Sequence, residues 1–201
     1  MEMRGKFIVF EGVDGSGLST QALKLENYLR MKGIKVVLTK EPTNGLIGGL
    51  VKAALKGEWK VDPLALQLLF CADRAHHVNT EILPALQEGK SVISDRYYFS
   101  SLAYGKVQGL DVDLLKKINS KFPRPDLLII LDVSPEVSIQ RIKEARFGFT
   151  LFEEKEYLEK VRSAFREIFE DNKDIAFLID ASGSIEEVHE QIKKIVNEKF
   201  F

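Results

Sequence analysis

A chain of 201 residues with 45% hydrophobic content has the size of one medium domain and enough apolar material for a core. Its 29 basic and 30 acidic residues leave a formal net charge of −1, which excludes the basic excess of a dedicated duplex-DNA binder but permits a local anion site. Cys71 is the single cysteine, so no internal disulfide can form, and no run approaches the ~20 apolar residues of a membrane helix. The expectation is a soluble, cytoplasmic chain with neither nucleic acid nor membrane as a partner.

Phe7-Ile8-Val9-Phe10 is a continuous apolar run ended by Glu11-Gly12, too short for a signal-peptide core, and reads as a buried strand of a parallel sheet. The spacing of Ala22, Leu25 and Leu29 predicts an amphipathic helix over 19–32, stopped by Gly33, and a second strand follows over 35–40. Residues 41–49, rich in turn formers, read as a loop. Asp62-Pro63 pairs an N-cap with a first-position proline and opens a long helix to about residue 88, closed by Gly89. A third strand (91–94), helices over 98–106 and 111–120, and a fourth strand (127–133) come next. Ser134-Pro135 starts another helix, 147–150 is a break, and a helix (153–172), a fifth strand (175–179) and a terminal helix (184–199) complete the chain. Strands alternate with helices without a linker or repeat. The fold class is therefore α/β: one domain, 1–201, with a sheet of about five parallel strands and helices on both faces.

Between the first strand and the first helix stands Gly12-Val13-Asp14-Gly15-Ser16-Gly17-Leu18-Ser19-Thr20. It matches the P-loop pattern G-x-x-x-x-G-K-[ST] at every fixed position except the lysine, which is Leu18. Glycines let the backbone curl so that successive N–H groups converge on one anion, with a helix N-terminus behind them. The Ser19 hydroxyl is the expected Mg²⁺ ligand. Ser94-Asp95-Arg96-Tyr97 ends the third strand. Asp95 there suits a second Mg²⁺-site group and Arg96 offers a fork for phosphate, although an Asp–Arg pair is also a common structural device. The sheet's carboxyl edge favours function.

Phe10-Glu11-Gly12-Val13-Asp14-Gly15-Ser16-Gly17, Glu41-Pro42-Thr43, Leu69-Phe70-Cys71-Ala72-Asp73-Arg74, Asp95-Arg96-Tyr97, Ser100-Ser101-Leu102-Ala103-Tyr104 and Pro125-Asp126-Leu127 occur in this order along nearly the whole chain. In these segments the chain resembles the thymidylate kinases, P-loop nucleoside-monophosphate kinases that phosphorylate dTMP with ATP and Mg²⁺ and are usually homodimers. The resemblance implies that Asp14 meets the sugar 3′-hydroxyl or the acceptor phosphate, that Phe70 stacks on thymine and that Arg74 bonds its carbonyl edge. It implies that Arg96 clamps the acceptor phosphate, that Tyr104 lies under the deoxyribose, and that Ser100 or Ser101 meets thymine N3. A short lid, about 141–153, would carry Arg141 near adenine or the phosphates and Arg146 against the transferring group. By the same resemblance Arg96, Arg146 and Asp14 form the catalytic set.

His76 and His77 are adjacent in a helix, face different ways and make a poor metal pair; with His189 alone in the last helix, no histidine is assigned a role. The departure at Leu18 leaves two readings open. Another cation (Arg146, Lys143 or Lys106) replaces the lysine in a working kinase, or the chain is a catalytically weak nucleotide-binding regulator. A kinase for another pyrimidine monophosphate is a further alternative.

Overall fold

The computed structural model describes residues 5–145 and 155–201. Five apolar runs form the strands β1 (Phe7–Gly12), β2 (Val36–Lys40), β3 (Ser91–Asp95), β4 (Leu127–Asp132) and β5 (Ala176–Asp180). They pair in parallel in the order β2-β3-β1-β4-β5. Between and after them run α1 (Leu18–Met31), α2 (Leu46–Leu55), α3 (Pro63–His77), α4 (Leu83–Gln87), α5 (Tyr98–Val107), α6 (Val112–Asn119), α7 (Pro135–Ala145), α8 (Lys155–Asp171) and α9 (Ile185–Phe200). The result is one α/β domain.

Sheet order explains why β1 and β4 read as unbroken apolar runs. From β1 the chain goes through α1 toward the β2 edge, whereas from β3 it crosses back to β4. Right-handed crossovers in opposite directions place α1 on one face and α5 on the other. The packing agrees: α1 lies on α9, and α5 on α8. Central strands covered on both faces have no solvent side, so Phe7, Ile8, Val9 and Phe10 are all buried, as are Leu127 through Leu131. The change of direction between β3 and β1 opens a crevice beyond their carboxyl ends, where ligands bind in open α/β sheets.

Two elements differ from the sequence reading. Within the expected loop over 41–49 the chain already enters α2 at Leu46. Gly48 and Gly49 look like breakers, yet a Cβ on Gly48 would stand 2.2 Å from the carbonyl oxygen of Thr43, so glycine is there for close approach. Val51 and Ala54 bury against α3, and that packing outweighs the low helix propensity of glycine. The expected helix over 62–88 does begin with the Asp62 side chain capping Leu64 N. It passes through a π-helical turn, Val78–Ile82, before α4. Pro84 follows that turn, and its missing N–H and bulky ring disfavour an uninterrupted α-helical ladder. The 147–150 break, Arg146 and most of the expected lid lie outside the described residues.

Candidate active site

β1 delivers Gly12 to the crevice and α1 begins six residues later, at Leu18. Gly15 takes φ +76°, and a Cβ there would meet the carbonyl oxygen of Ser138 on α7 at 2.6 Å. The loop can therefore curl under α7 only as glycine. Ser138 ties the two together by donating its hydroxyl to the carbonyl of Asp14 at 2.5 Å. Asp14, Gly15, Gly17, Ser19 and Thr20 line a cavity of about 710 Å³, closed on the other side by Arg141 and Ile142. Arg141 donates to the carbonyls of Ser182 and Gly183 at 3.5 and 3.2 Å. Val13 and Ser16, also in the loop, are buried.

Leu18, where the pattern has lysine, is 6% exposed and packs in the core. Lys106 is held by Glu167 of α8 instead of reaching the loop. Lys143 lines a separate shallow hollow with Glu136 and Gln140. Two cations do share cavities with Ser19: Arg141 in the loop cavity, and Lys40 in an adjoining one that also contains Asp95.

Parallel pairing sets Asp95 opposite Phe10, one strand over from the loop, and there Ser19 Oγ donates directly to Asp95 Oδ2. A hydroxyl and a carboxylate in contact are hard oxygen donors, a set that fits Mg²⁺ completed by water and phosphate oxygens.

The remaining expected residues converge. Asp14, Phe70, Arg74, Arg96, Ser100, Ser101 and Tyr104 all line one cavity of about 190 Å³. Arg96 lines this cavity; its Nη2 donates to Asp14 Oδ1 at 2.7 Å and its Nη1 donates to the Gly12 carbonyl at 2.9 Å and Ser100 Oγ at 3.0 Å. Arg96 holds the left-handed φ of +71°, fixed by its N–H on the Phe10 carbonyl and by Ser94 Oγ donating to its own carbonyl. Burial opposes its charge, but the surrounding Tyr104, Asp14 and Glu11 outweigh burial and hold the guanidinium protonated. The guanidinium also lies over the Tyr104 ring, 5.7 Å from its centroid.

Glu11, assigned no role from the sequence, is a buried support of Arg96. It is 0% exposed, accepts from Tyr97 N, Ser100 N and Ser100 Oγ at 2.9, 3.0 and 2.6 Å, and caps the start of α5. Burial pushes its carboxyl up to about 7, against the opposing pull of Arg96 and its hydrogen-bond donors. The signal was a charge at the end of an otherwise apolar strand.

The same cavity is also lined by Arg74, a fully buried cation on α3. Its Nε donates to Glu41 Oε2 at 2.8 Å, its Nη1 to Asn119 Oδ1 at 2.7 Å and its Nη2 to Ser101 Oγ at 3.3 Å. Phe70 and Pro42 supply apolar wall. The P-loop cavity thus shares Asp14 with a pocket lined by two guanidinium groups and the rings of Phe70, Tyr97 and Tyr104.

The thymidylate kinase family model matches residues 10–192. The chain belongs to the thymidylate kinase family. It is 44% identical to a thymidylate kinase of Caldicellulosiruptor saccharolyticus over 98% of both chains. It is also 44% identical to a probable thymidylate kinase of Pyrococcus horikoshii, over 96% of this chain and 97% of that one. A probable thymidylate kinase of Saccharolobus solfataricus is 40% identical over 98% and 99%. Membership of the thymidylate kinase family makes the chain a nucleoside-monophosphate kinase, and the five-stranded parallel sheet is the fold expected of one.

Proposed function

We propose that the chain transfers the γ-phosphoryl group of ATP to dTMP, with Mg²⁺ held at Ser19 and Asp95. The observation that carries this reading is the single cavity that gathers Asp14, Phe70, Arg74, Arg96, Ser100, Ser101 and Tyr104 beside the P-loop. Thymine takes the Phe70 end, with Arg74 at its carbonyl edge, and the acceptor phosphate takes the Arg96 end. Ser100 Oγ is already engaged by Arg96 and Glu11, which leaves Ser101 as the hydroxyl for thymine N3. The Tyr104 ring fills the space under the sugar and disfavours a 2′-hydroxyl.

A phosphate monoester oxygen is anionic at neutral pH, so attack on the γ-phosphorus needs positioning and charge neutralisation more than a general base. Arg96 orients the acceptor and stays protonated, Asp14 orients Arg96, and the P-loop N–H groups hold the donor phosphates. Bound Mg²⁺ supplies charge neutralisation on the donor oxygens. Arg141 is read as the adenine-side cation; Arg146 lies outside the described residues.

Buried Leu18 gives the regulator reading its specific support. A coupled ADP-release assay with dTMP, dUMP, UMP and CMP separates the two. Turnover highest with dTMP is the expected result; nucleotide binding without turnover would replace the kinase reading by the regulator. The homodimer and cytoplasmic location belong to the same reading. Exposed Leu64 and Leu68, one turn apart on α3, and Leu46 and Leu50 on α2 support the dimer, which sedimentation would test. Among the described residues no helix is long and apolar enough to cross a membrane.

A further inference from the structure

Buried on α3, one turn beyond the base-end cavity, His77 sits in a chain of hydrogen bonds that ends at Arg74. Its Nδ1 stands 3.0 Å from Glu41 Oε1, and the other oxygen of that carboxylate accepts from Arg74 Nε at 2.8 Å. Its Nε2 faces outward, 2.7 Å from Thr39 Oγ1 and 3.1 Å from Glu81 Oε2, at the wall of a second cavity. Thr39 donates in turn to Glu81 at 2.8 Å. The side chains of His77, Glu41 and Arg74 are all within 2% of complete burial, so water cannot substitute for the bonds that join these three.

We infer that His77 is a positioning residue for recognition of the base. A carboxylate only accepts, so Nδ1 carries the hydrogen it gives to Glu41. That bond fixes the rotation of the Glu41 carboxylate, and the carboxylate fixes Arg74 through Nε. Nη1 is held independently by Asn119. With both sides tethered, the guanidinium plane keeps one orientation, and Nη2, the nitrogen on Ser101, is presented to the cavity. Release of the Nδ1 contact frees the carboxylate to turn, and the fork loses its fixed plane. The inference rests on the reading of the 190 Å³ cavity as the dTMP site.

The two nitrogens can be tested apart, because an asparagine amide reaches the place of Nδ1 and a glutamine amide the place of Nε2. In the full chain, His77→Gln is expected to raise the KM for dTMP about tenfold, the loss of one buried hydrogen bond, with kcat and the KM for ATP within about twofold. His77→Asn is expected to keep the dTMP KM near that of the unaltered chain. Equal behaviour of the two variants, or a fall in Tm with no change in dTMP KM, would show a packing residue and overturn the inference. Should His77→Gln be recovered unfolded, the imidazole ¹⁵N shifts of His77 in the unaltered chain read the same tether; a hydrogen on Nδ1 supports the inference and an Nδ1 without one overturns it. Absence of dTMP turnover and binding in the unaltered chain would instead fell the reading of the cavity, a distinct result.

Discussion

Arg96 gives its Nη2 hydrogen to Asp14 at 2.7 Å, which joins a residue of the glycine-rich loop to the cation of the proposed acceptor pocket. The pair ties the two cavities together, because Asp14 lines both. Arg96→Lys keeps the charge but loses the fork that also holds the Gly12 carbonyl and Ser100. Steady-state kinetics should show kcat lowered by ~10²–10³, the usual cost of removing one oriented transition-state donor. A fall of less than threefold would remove Arg96 from the catalytic set.

Replacing Leu18 by lysine inserts a charge into a buried position. Urea unfolding should show a loss of roughly 1–3 kcal/mol for burying a polar group in place of packed leucine. Arg141 and Lys40 already share cavities with Ser19, so kcat should rise by less than about tenfold, below the ~10²–10³ of a missing donor. A rise of a hundredfold would show that nothing replaces the lysine.

Glu11 makes a pH prediction whose sign is fixed by its raised pKa. Its ordinary value is 4.5 and burial lifts it to about 7, so between these values the native chain holds a proton that the unfolded chain has released. Stability from this site is therefore present at low pH and is lost as pH rises through that window, by about 3 kcal/mol at ~1.4 kcal/mol per unit. Denaturant titrations of the unaltered chain and Glu11→Gln at pH 5 and pH 8 isolate the term, since other groups cancel in the difference. An equal difference at both pH values would refute the assignment.

Ser19→Ala removes the hydroxyl that touches Asp95 while leaving the loop glycines in place. The Mg²⁺ concentration giving half-maximal rate should rise several-fold, with little change in the KM for dTMP, whose cavity Ser19 does not line. A change confined to dTMP would contradict the ligand role.

Gly15→Ala should abolish tight ATP binding. The new Cβ would press on the Ser138 carbonyl at 2.6 Å while φ of +76° disfavours any side chain. Isothermal titration calorimetry at ATP concentrations that saturate the unaltered chain checks this.

The strands and the phosphate loop were legible because their signals are local: an apolar run needs only its own residues, and so does a glycine spacing. The proposed acceptor pocket rests on a resemblance spread over several segments, and the fold brings Asp14, Phe70, Arg74, Arg96, Ser100, Ser101 and Tyr104 to one cavity. Helix α2 was hidden because Gly48 answers to the carbonyl of Thr43, a demand visible only once the chain has turned. Glu11 and His77 were hidden for a related reason. Glu11 meets Ser100 across 89 positions and His77 meets Glu41 across 36, and no periodicity encodes such pairs. Glu41 in isolation is only the residue before Pro42, although the fold buries its carboxylate between Arg74 and His77.

The left-handed backbone at Arg96 has a consequence for how this chain can be changed. A non-glycine residue at φ +71° gives up roughly 1–2 kcal/mol that glycine, and to a lesser degree asparagine, would return. The bonds of its guanidinium to Asp14, Gly12 and Ser100 outweigh that cost, at about 1.5–3 kcal/mol for each charge-assisted bond. Side chain and backbone thus pull position 96 in opposite directions, and only a residue that keeps the fork can hold the strained turn.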